Sequence, residues 1–487
     1  MVTFALLLLA DWPWITNVRV DDATGATDQN ETAFSPFGGG WNDYRTGSWR
    51  YGFSGSTDQG ATWMTNQMHH YTSGRAHDCD PVIGTDANGR LHEIILNFDY
   101  SYNGTCVHRS STDMGVTWSG FHAVSINGGV GLPDKPWMAF SPTKDTIYAC
   151  YVLFYGANDG TYAVRSTDGG NTWNGQKIST SGTSSRPFIC VDKAGNVYVV
   201  WLEWYSKHWY LSYSTNGGTT WSTPRDIGYV TMNPDHRPSQ IPWLMGGSAG
   251  TIYMTWPDER YSSTYQYDVL FSRSTDYGTN WTTPVAVNTL TGRGHKAFLP
   301  SIALTPYGDL VMVWAQYKGS QWSVEYAYSL DGGATWQITP GATGRVSDVN
   351  FSMGYGQTGM EMGDYMTAYA DSDYVYALWA DDRTGDYKIY FSKAFISDLI
   401  PTSTREDAAR AELGIKQIAG GFVLTLAGNS SVSVEIYDPA GRLVSEAFRG
   451  TLEAGDHAFA WPSLNQGVYL STVQVGDRRT SLKFTAR

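Results

Sequence analysis

One octapeptide recurs six times along the chain. It reads STDQGATW at 56–63, STDMGVTW at 111–118, STDGGNTW at 166–173, STNGGTTW at 214–221, STDYGTNW at 274–281 and SLDGGATW at 329–336. The starts are 55, 55, 48, 60 and 55 residues apart. Near-copies at such a period mark an array of like supersecondary units. The Asp (Asn216 in the fourth copy) can accept hydrogen bonds from backbone N–H groups just ahead and tie a turn. The Gly two residues later supplies a positive φ. The closing Trp can pack beneath the turn as an apolar plug.

The sequence around each copy reads as four strands. In the fourth unit RPFICVD is an inner strand, KAGN a turn, VYVVWLEW the second strand and HWYLSYS the third. The octapeptide follows, and TPRDIG is the fourth strand. Period-two alternation with Gly, Asn and Asp punctuation supports this division. Units begin near Glu31, Asp80, Lys135, Arg186, Arg237 and Leu299, and a seventh spans 363–395 without an octapeptide. Composition agrees: 14% aromatic and 16% charged residues with 53 Gly exclude a helical bundle, a coiled coil and a disordered chain. A formal net charge of −13 repels phosphate backbones, so no nucleic-acid partner is expected.

The octapeptide resembles the Asp box of sialidase-type, BNR-repeat β-propellers. The resemblance implies an all-β propeller fold, and the count of seven units favours seven blades over 11–396, where the sialidases have six. Six blades is the alternative if the short first unit (TAFSPFGGGWND) shares a blade with the last. A polar linker at 397–412 leads to short alternating strands at 413–487, an Ig-like β-sandwich. Its run VEIYDPAGRLV, the Gly455-Asp456-His457 turn, LNQGVYL and SLKF look like a type IX secretion sorting domain. The final SLKFTAR departs from that pattern, and an unrelated Ig-like module is the alternative. Residues 2–10 resemble the end of a signal peptide cut after Ala10, without its basic n-region; a buried strand is the other reading. Together these imply a secreted or cell-surface protein that engages a secretion machinery.

The four cysteines match no zinc spacing and are too few for a disulfide scaffold. Cys79 and Cys106 fall at the same end of one unit, where a disulfide is expected; Cys150 and Cys190 read as small buried residues.

Two columns of equivalent residues would meet at the channel mouth. The first opens each inner strand: Glu31, Asp80, Lys135, Arg186, Arg237, Leu299 and Asp364, with Asp134 and His236 beside it. It can hold a polar or anionic ligand, or neutralise itself as an ion-pair network. The second ends each second strand: Asp43, Asn97, Leu153, Glu203, Asp258, Gln316 and Asp381. A Trp stands two residues before five of these and reads as inter-blade core. Three units extend the column to Asp-x-Arg, adding Arg45, Arg260 and Arg383.

In sialidases three Arg clamp the substrate carboxylate, an Asp is acid/base and a Tyr–Glu pair is the nucleophile. Carried onto this chain, the resemblance implies Asp80 or Asp364 as acid/base and Tyr365 as nucleophile, with Tyr44 a second candidate. Glu31, Arg45, Asp134, Lys135, Arg186, Arg237, Asp258, Arg260, Asp381 and Arg383 would contact substrate. An Arg fork matches a carboxylate, and a Tyr avoids setting a full charge against an anionic sugar. The chain departs from the family in having no Arg-Ile-Pro before the first box; Ser185-Arg186-Pro187 is the nearest echo. Each Asp-x-Arg could instead brace its own loop. No Ser-His-Asp set, phosphate loop or metal-binding His pair stands out. The turns at Asp86 and Asp192 are turns first and calcium ligands second, so no cofactor is expected. The expectation is a sialidase-like glycoside hydrolase acting on an anionic or polar extracellular glycan. The alternative is a non-catalytic carbohydrate- or protein-binding adhesion propeller. The sugar and the oligomeric state are left open.

Overall fold

The computed structural model describes residues 13–400 except 26, 72–73, 232–240, 262–265, 292–295 and 353–361, and residues 413–486 except 419, 439–441, 466 and 477. The expected leader at 1–10, most of the expected linker (401–412), Arg237 and His236 lie outside the described residues. The chain divides into two compact units, Met1–Leu399 and Ile400–Arg487.

The first unit is built from seven antiparallel sheets in chain order. The first sheet contains Gln29–Ser35, Gly38–Asp43, Arg50–Gly55 and Gln67–His69. Innermost strands of the next five are His77–Thr85, Leu132–Phe140, Ser184–Val191, Trp243–Gly246 and Lys296–Leu304. The seventh sheet contains Thr367–Ala370, Tyr374–Asp381 and Lys388–Phe395, and its fourth strand is Val18–Arg19 from the other end of the unit. The first and last units of the sequence therefore occupy separate sheets. Each innermost strand packs on the next, and Thr367–Ala370 packs on Gln29–Ser35, so the array closes on itself.

The boxes lie in the connections after the third strands, as their spacing predicts. In the second box the Asp113 Oδ1 accepts the Thr117 N–H (2.8 Å), Oδ2 accepts the Thr117 hydroxyl (2.6 Å) and the Ser111 Oγ accepts the Gly115 N–H (2.8 Å). With the Ser111 hydroxyl donating to Asp113 Oδ1 and the Asp113 N–H to Ser111 Oγ, five hydrogen bonds close within one turn, and those from Thr117 and Ser111 hold the Asp113 carboxyl down at about 2. The box glycines do more than permit a positive φ. A Cβ at Gly60, Gly115, Gly170 or Gly333 would overlap a ring of the preceding sheet's third strand: Phe391, Phe53, His108 and Phe271 respectively. Each box thus locks its sheet to the one before, and Gly60 locks the first sheet to the seventh. Gly333→Ala combines a side chain at φ 87 with overlap against Phe271. It is expected to destabilise the unit by roughly 2–4 kcal/mol, read by chemical denaturation beside the open-turn control Gly308→Ala.

The Gly170 joint carries a buried relay absent from the sequence reading. The His92 Nε2 faces Asp86 Oδ2 (3.2 Å), its Nδ1 faces His108 Nε2 (2.9 Å), and His108 Nδ1 faces the Gly170 carbonyl (3.2 Å). Burial pushes the His108 imidazole down to about 3, with His92 adding to the shift. Its folded value lies below the unfolded one of 6.5, so the unfolded chain takes up the proton first. Stability is therefore expected to fall as pH drops from 6.5 toward 3, by a limiting amount of roughly 5 kcal/mol. His108→Leu should flatten that slope in thermal unfolding followed across the same range.

All four cysteines are buried and free, which corrects the expected Cys79–Cys106 disulfide. Both residues pair with Leu96 of the strand between them, one on each side. Two strand spacings, about 9–10 Å, exceed what a disulfide spans.

The second unit contains a three-stranded sheet (Ile415–Ile418, Gly421–Leu426, Gly455–Ala460) and a four-stranded sheet (Leu443–Leu452, Ser430–Tyr437, Gly467–Val475, Arg478–Ala486). Alternating residues of both, including Phe422, Leu424, Val432, Val434, Val473 and Leu482, form one core.

Candidate functional site

Each innermost strand with a column-one residue carries the same irregularity. Pairing shifts register between Asn30 and Ala33, Cys79 and Val82, Asp134 and Trp137, Ser185 and Phe188, and Phe298 and Ser301. The displaced residue is Glu31, Asp80, Lys135, Arg186 or Leu299, and its φ is 54, 51, 50, 50 or 54°. Non-glycine residues rarely adopt this conformation, and four of the five precede proline, which ordinarily favours extended backbone. Such repeated strain is the sign of a position held by its surroundings.

The bulges bring residues from four sheets together. The Lys135 ammonium lies 2.7 Å from Asp364 Oδ2, 2.9 Å from Asp80 Oδ2 and 3.7 Å from Glu31 Oε1. Glu31, Asp80 and Asp364 are buried, while Lys135 and Asp134 are half-buried. Asn42, not singled out by sequence, ties the group: its Nδ2 donates to Glu31 Oε2 (2.9 Å) and its Oδ1 accepts the Asp80 N–H (2.9 Å). The Asp364 N–H donates to Glu31 Oε1 (3.2 Å). Gly363 is required here, because a Cβ on it would enter the Glu31 side chain.

The cluster's charges are sharply differentiated. Burial opposes the Lys135 charge, yet Asp364, Asp80 and Glu31 outweigh it and hold the ammonium well above its ordinary range. Burial raises Asp80 too, but Lys135 and a hydrogen bond from Asp134 bring its carboxyl below the usual value. Burial drives Glu31 well above the carboxylate range, and the Asp80 and Asp364 charges add to that. Asp134 is pushed up to about 7, first by loss of water and then, against the pull of Lys135, by the charge and hydrogen bond of Asp80. The site therefore pairs an ionised carboxylate with a carboxylic acid that keeps its proton near neutrality.

Tyr365 sits against this cluster with its hydroxyl donating to the Pro81 carbonyl (3.0 Å). Burial and the nearby carboxylates push its phenol well above 10. Tyr44 is likewise buried, and its hydroxyl faces Asn30 Oδ1 at 3.4 Å. The Arg186 guanidinium lies 4.8 Å from the Trp204 ring centre.

The second column lies in a different set of contacts. Arg45 is paired with Asp43 (2.8 Å) and Asp22 (2.6 Å), Arg260 with Asp258 (2.8 Å), and Arg383 with Asp381 (2.6 Å) and Asp348 (2.6 Å). Asp258 and Asp381 also accept the indole N–H of Trp256 and Trp379, as Glu203 and Gln316 accept those of Trp201 and Trp314. The Trp-x-acid pattern is thus a repeated internal brace. Asp86 accepts the N–H groups of Asn88 and Arg90, and Asp192 those of Ala194 and Asn196.

Residues 53–242, which contain four of the six boxes, match the BNR repeat-like domain. No curated protein matches the chain. Among solved structures it is similar to the Hadza microbial sialidase Hz136, at TM-score 0.44 and 16% identity over 72% of this chain and 74% of that one. It is similar to the Penicillium chrysogenum alpha-L-arabinanase complexed with arabinobiose, at TM-score 0.47 and 13% identity over 79% and 99%. A third is the Trypanosoma rangeli sialidase in complex with the inhibitor DANA, at TM-score 0.42 and 11% identity over 86% and 85%.

Proposed function

We propose that the chain is a secreted, seven-bladed β-propeller that hydrolyses a glycosidic bond at the Asp80–Asp134–Lys135–Asp364 cluster. Its second unit is then an Ig-like sandwich serving type IX secretion. The observation that carries the catalytic reading is the Asp134–Asp80 pair. Glycoside hydrolysis uses two carboxyl groups whose surroundings drive their pKa values apart, one donating a proton to the leaving oxygen and one acting as base or nucleophile. Asp134, half-buried and raised to about 7, has the character of the acid. Asp80 and Asp364, held against the Lys135 ammonium, are the candidate carboxylate partners. Tyr365 is a hydrogen-bond donor with a raised pKa, which suits positioning of the Pro81 bulge better than nucleophilic attack. Four carboxyl groups around one ammonium suit an uncharged polar sugar better than an anionic one.

One set of contacts favours a non-catalytic, glycan-holding propeller. Arg45, Arg260 and Arg383 are each committed to their own loop, and Lys135 to two close carboxylates. A screen of purified protein against neutral and anionic aryl glycosides and unsubstituted polysaccharides, read by released phenol or reducing ends, decides between them. Turnover that disappears in Asp134→Asn supports hydrolysis. Polysaccharide retention without turnover overturns hydrolysis in favour of the binding propeller.

A further inference from the structure

The connections between second and third strands in sheets two, three and four present a row of exposed tyrosines. Tyr100 and Tyr102 are 79% and 52% exposed, Tyr155 71% and Tyr205 83%. Flat rings of this size on the surface of adjacent connections form a patch, and such patches mark interaction sites. The backbone that carries the rings is tied by hydrogen bonds. Tyr102 and Tyr155 both sit in the left-handed region, at φ 58 and 59°. The Asp99 carboxylate accepts the N–H groups of Ser101 and Asn103, and the Asp159 carboxylate those of Tyr155 and Gly156. In the third connection Lys207, also left-handed at φ 57°, donates its N–H to the Glu203 carbonyl (2.9 Å).

The rings also join up. Tyr102 stacks on Phe98 and lies 5.5 Å, centre to centre, from Tyr155 of the next sheet. Tyr155 neighbours Phe154, which lines a cavity of about 320 Å³ with Ser185, Trp204 and Tyr205. That volume falls within the range of small-ligand pockets, ~300–1,000 Å³. The row borders the acid cluster, because Phe154 pairs with Leu132, two residues before Asp134.

We propose that this tyrosine row is the binding track for a neutral polysaccharide chain leading to the acid cluster. The proposal rests on the glycan-acting reading and adds the polymer and its path. The chemistry of the row selects this occupant. The three connections, 99–103, 155–159 and 204–207, contain aromatic, small and polar residues but no Leu, Ile, Val or Met. A protein partner would find little aliphatic surface to bury. A sugar ring finds a flat aromatic face for its C–H groups, with Ser101, Asn103, Asn158 and Ser206 in the same connections for its hydroxyls. The 5.5 Å step from Tyr102 to Tyr155 is close to the advance of one pyranose unit.

The test is affinity electrophoresis through gels containing barley β-glucan, xylan, galactomannan, arabinan or, as the anionic arm, hyaluronan. Tyr102→Asn and Tyr155→Asn remove the rings while keeping a residue that tolerates positive φ, and Tyr205→Ala removes the third. Tyr307→Ala, an exposed tyrosine in a turn between first and second strands of the sixth sheet, is the control. Expected is retardation by at least one neutral polysaccharide, weakened about tenfold or more in each row variant and unchanged in the control. Retardation is read separately from the release of reducing ends, so failure of the catalytic reading leaves this result standing. Retardation by hyaluronan alone, retardation indifferent to the row variants, or none in any gel overturns the proposal.

Discussion

Asp134→Asn is expected to lower kcat on any glycan substrate by about 10²–10⁴-fold, the usual contribution of a positioned acid. The substitution keeps the shape of the side chain and can still donate a hydrogen bond to Asp80, so folding should be little disturbed. In the unaltered protein Asp134 must carry its proton to act. With its pKa raised to about 7, activity is expected to decline as pH rises through that value. The decline should shift to lower pH in Asp80→Asn. There the Asp80 charge that holds the Asp134 proton is lost, and the Lys135 pull remains. A pH–rate profile of kcat/KM for the two proteins reads both effects. An alkaline limb unmoved by Asp80→Asn would remove Asp134 from the acid role.

Lys135→Met should destabilise the first unit by about 3–5 kcal/mol, because it strips the Lys135 ammonium from the buried carboxylates it pairs with. Asp80 is held below its ordinary value chiefly by Lys135. Without that ammonium, burial and Asp364 would raise it. A carboxyl whose folded pKa lies above its unfolded value favours folding below the unfolded value and loses that stabilisation as pH rises through the folded one. The deficit of Lys135→Met is therefore expected to grow between pH 4 and pH 8. Thermal unfolding at both ends of that range measures it. The double variant Lys135→Met/Asp80→Asn should recover part of the loss at pH 8. Equal deficits at both pH values would mean that packing, not charge, is the role of Lys135.

The legible parts of this protein are those set by local chemistry. Ser-x-Asp-x-Gly-x-Thr-Trp specifies a turn through contacts within eight residues, so the box predicted its own hydrogen bonds and its place after the third strand. The first column was legible because Asp80, Lys135 and Arg186 all stand before proline in the same frame, and Glu31 and Asp364 fall at equivalent positions. Convergence of Glu31, Asp80, Lys135 and Asp364 on one point follows from bulges that a pattern of residue types does not display. The left-handed backbone at these residues runs against what X-Pro suggests. The difference between Asp80 and Asp134 depends on which carboxyl pairs with the ammonium, and Asp80 does so at 2.9 Å, a side-chain placement that residue types along the chain do not display. The cysteines show the converse: Cys79 and Cys106 share a level in the sheet, but the intervening Leu96 strand separates them, and spacing along the chain carries no sign of it.

The pairing of Val18 and Arg19 with Phe391 and Tyr390 bears on how the molecule is made. Sheets one to six draw their strands from contiguous stretches, so each can assemble soon after it leaves the ribosome. The seventh cannot, because its outermost strand is synthesised before the other six sheets and its neighbours after them. The early segment must wait, unpaired, through the synthesis of nearly the whole array. Completion then requires closing a very long chain loop, which makes this late, non-local step the slow event in maturation.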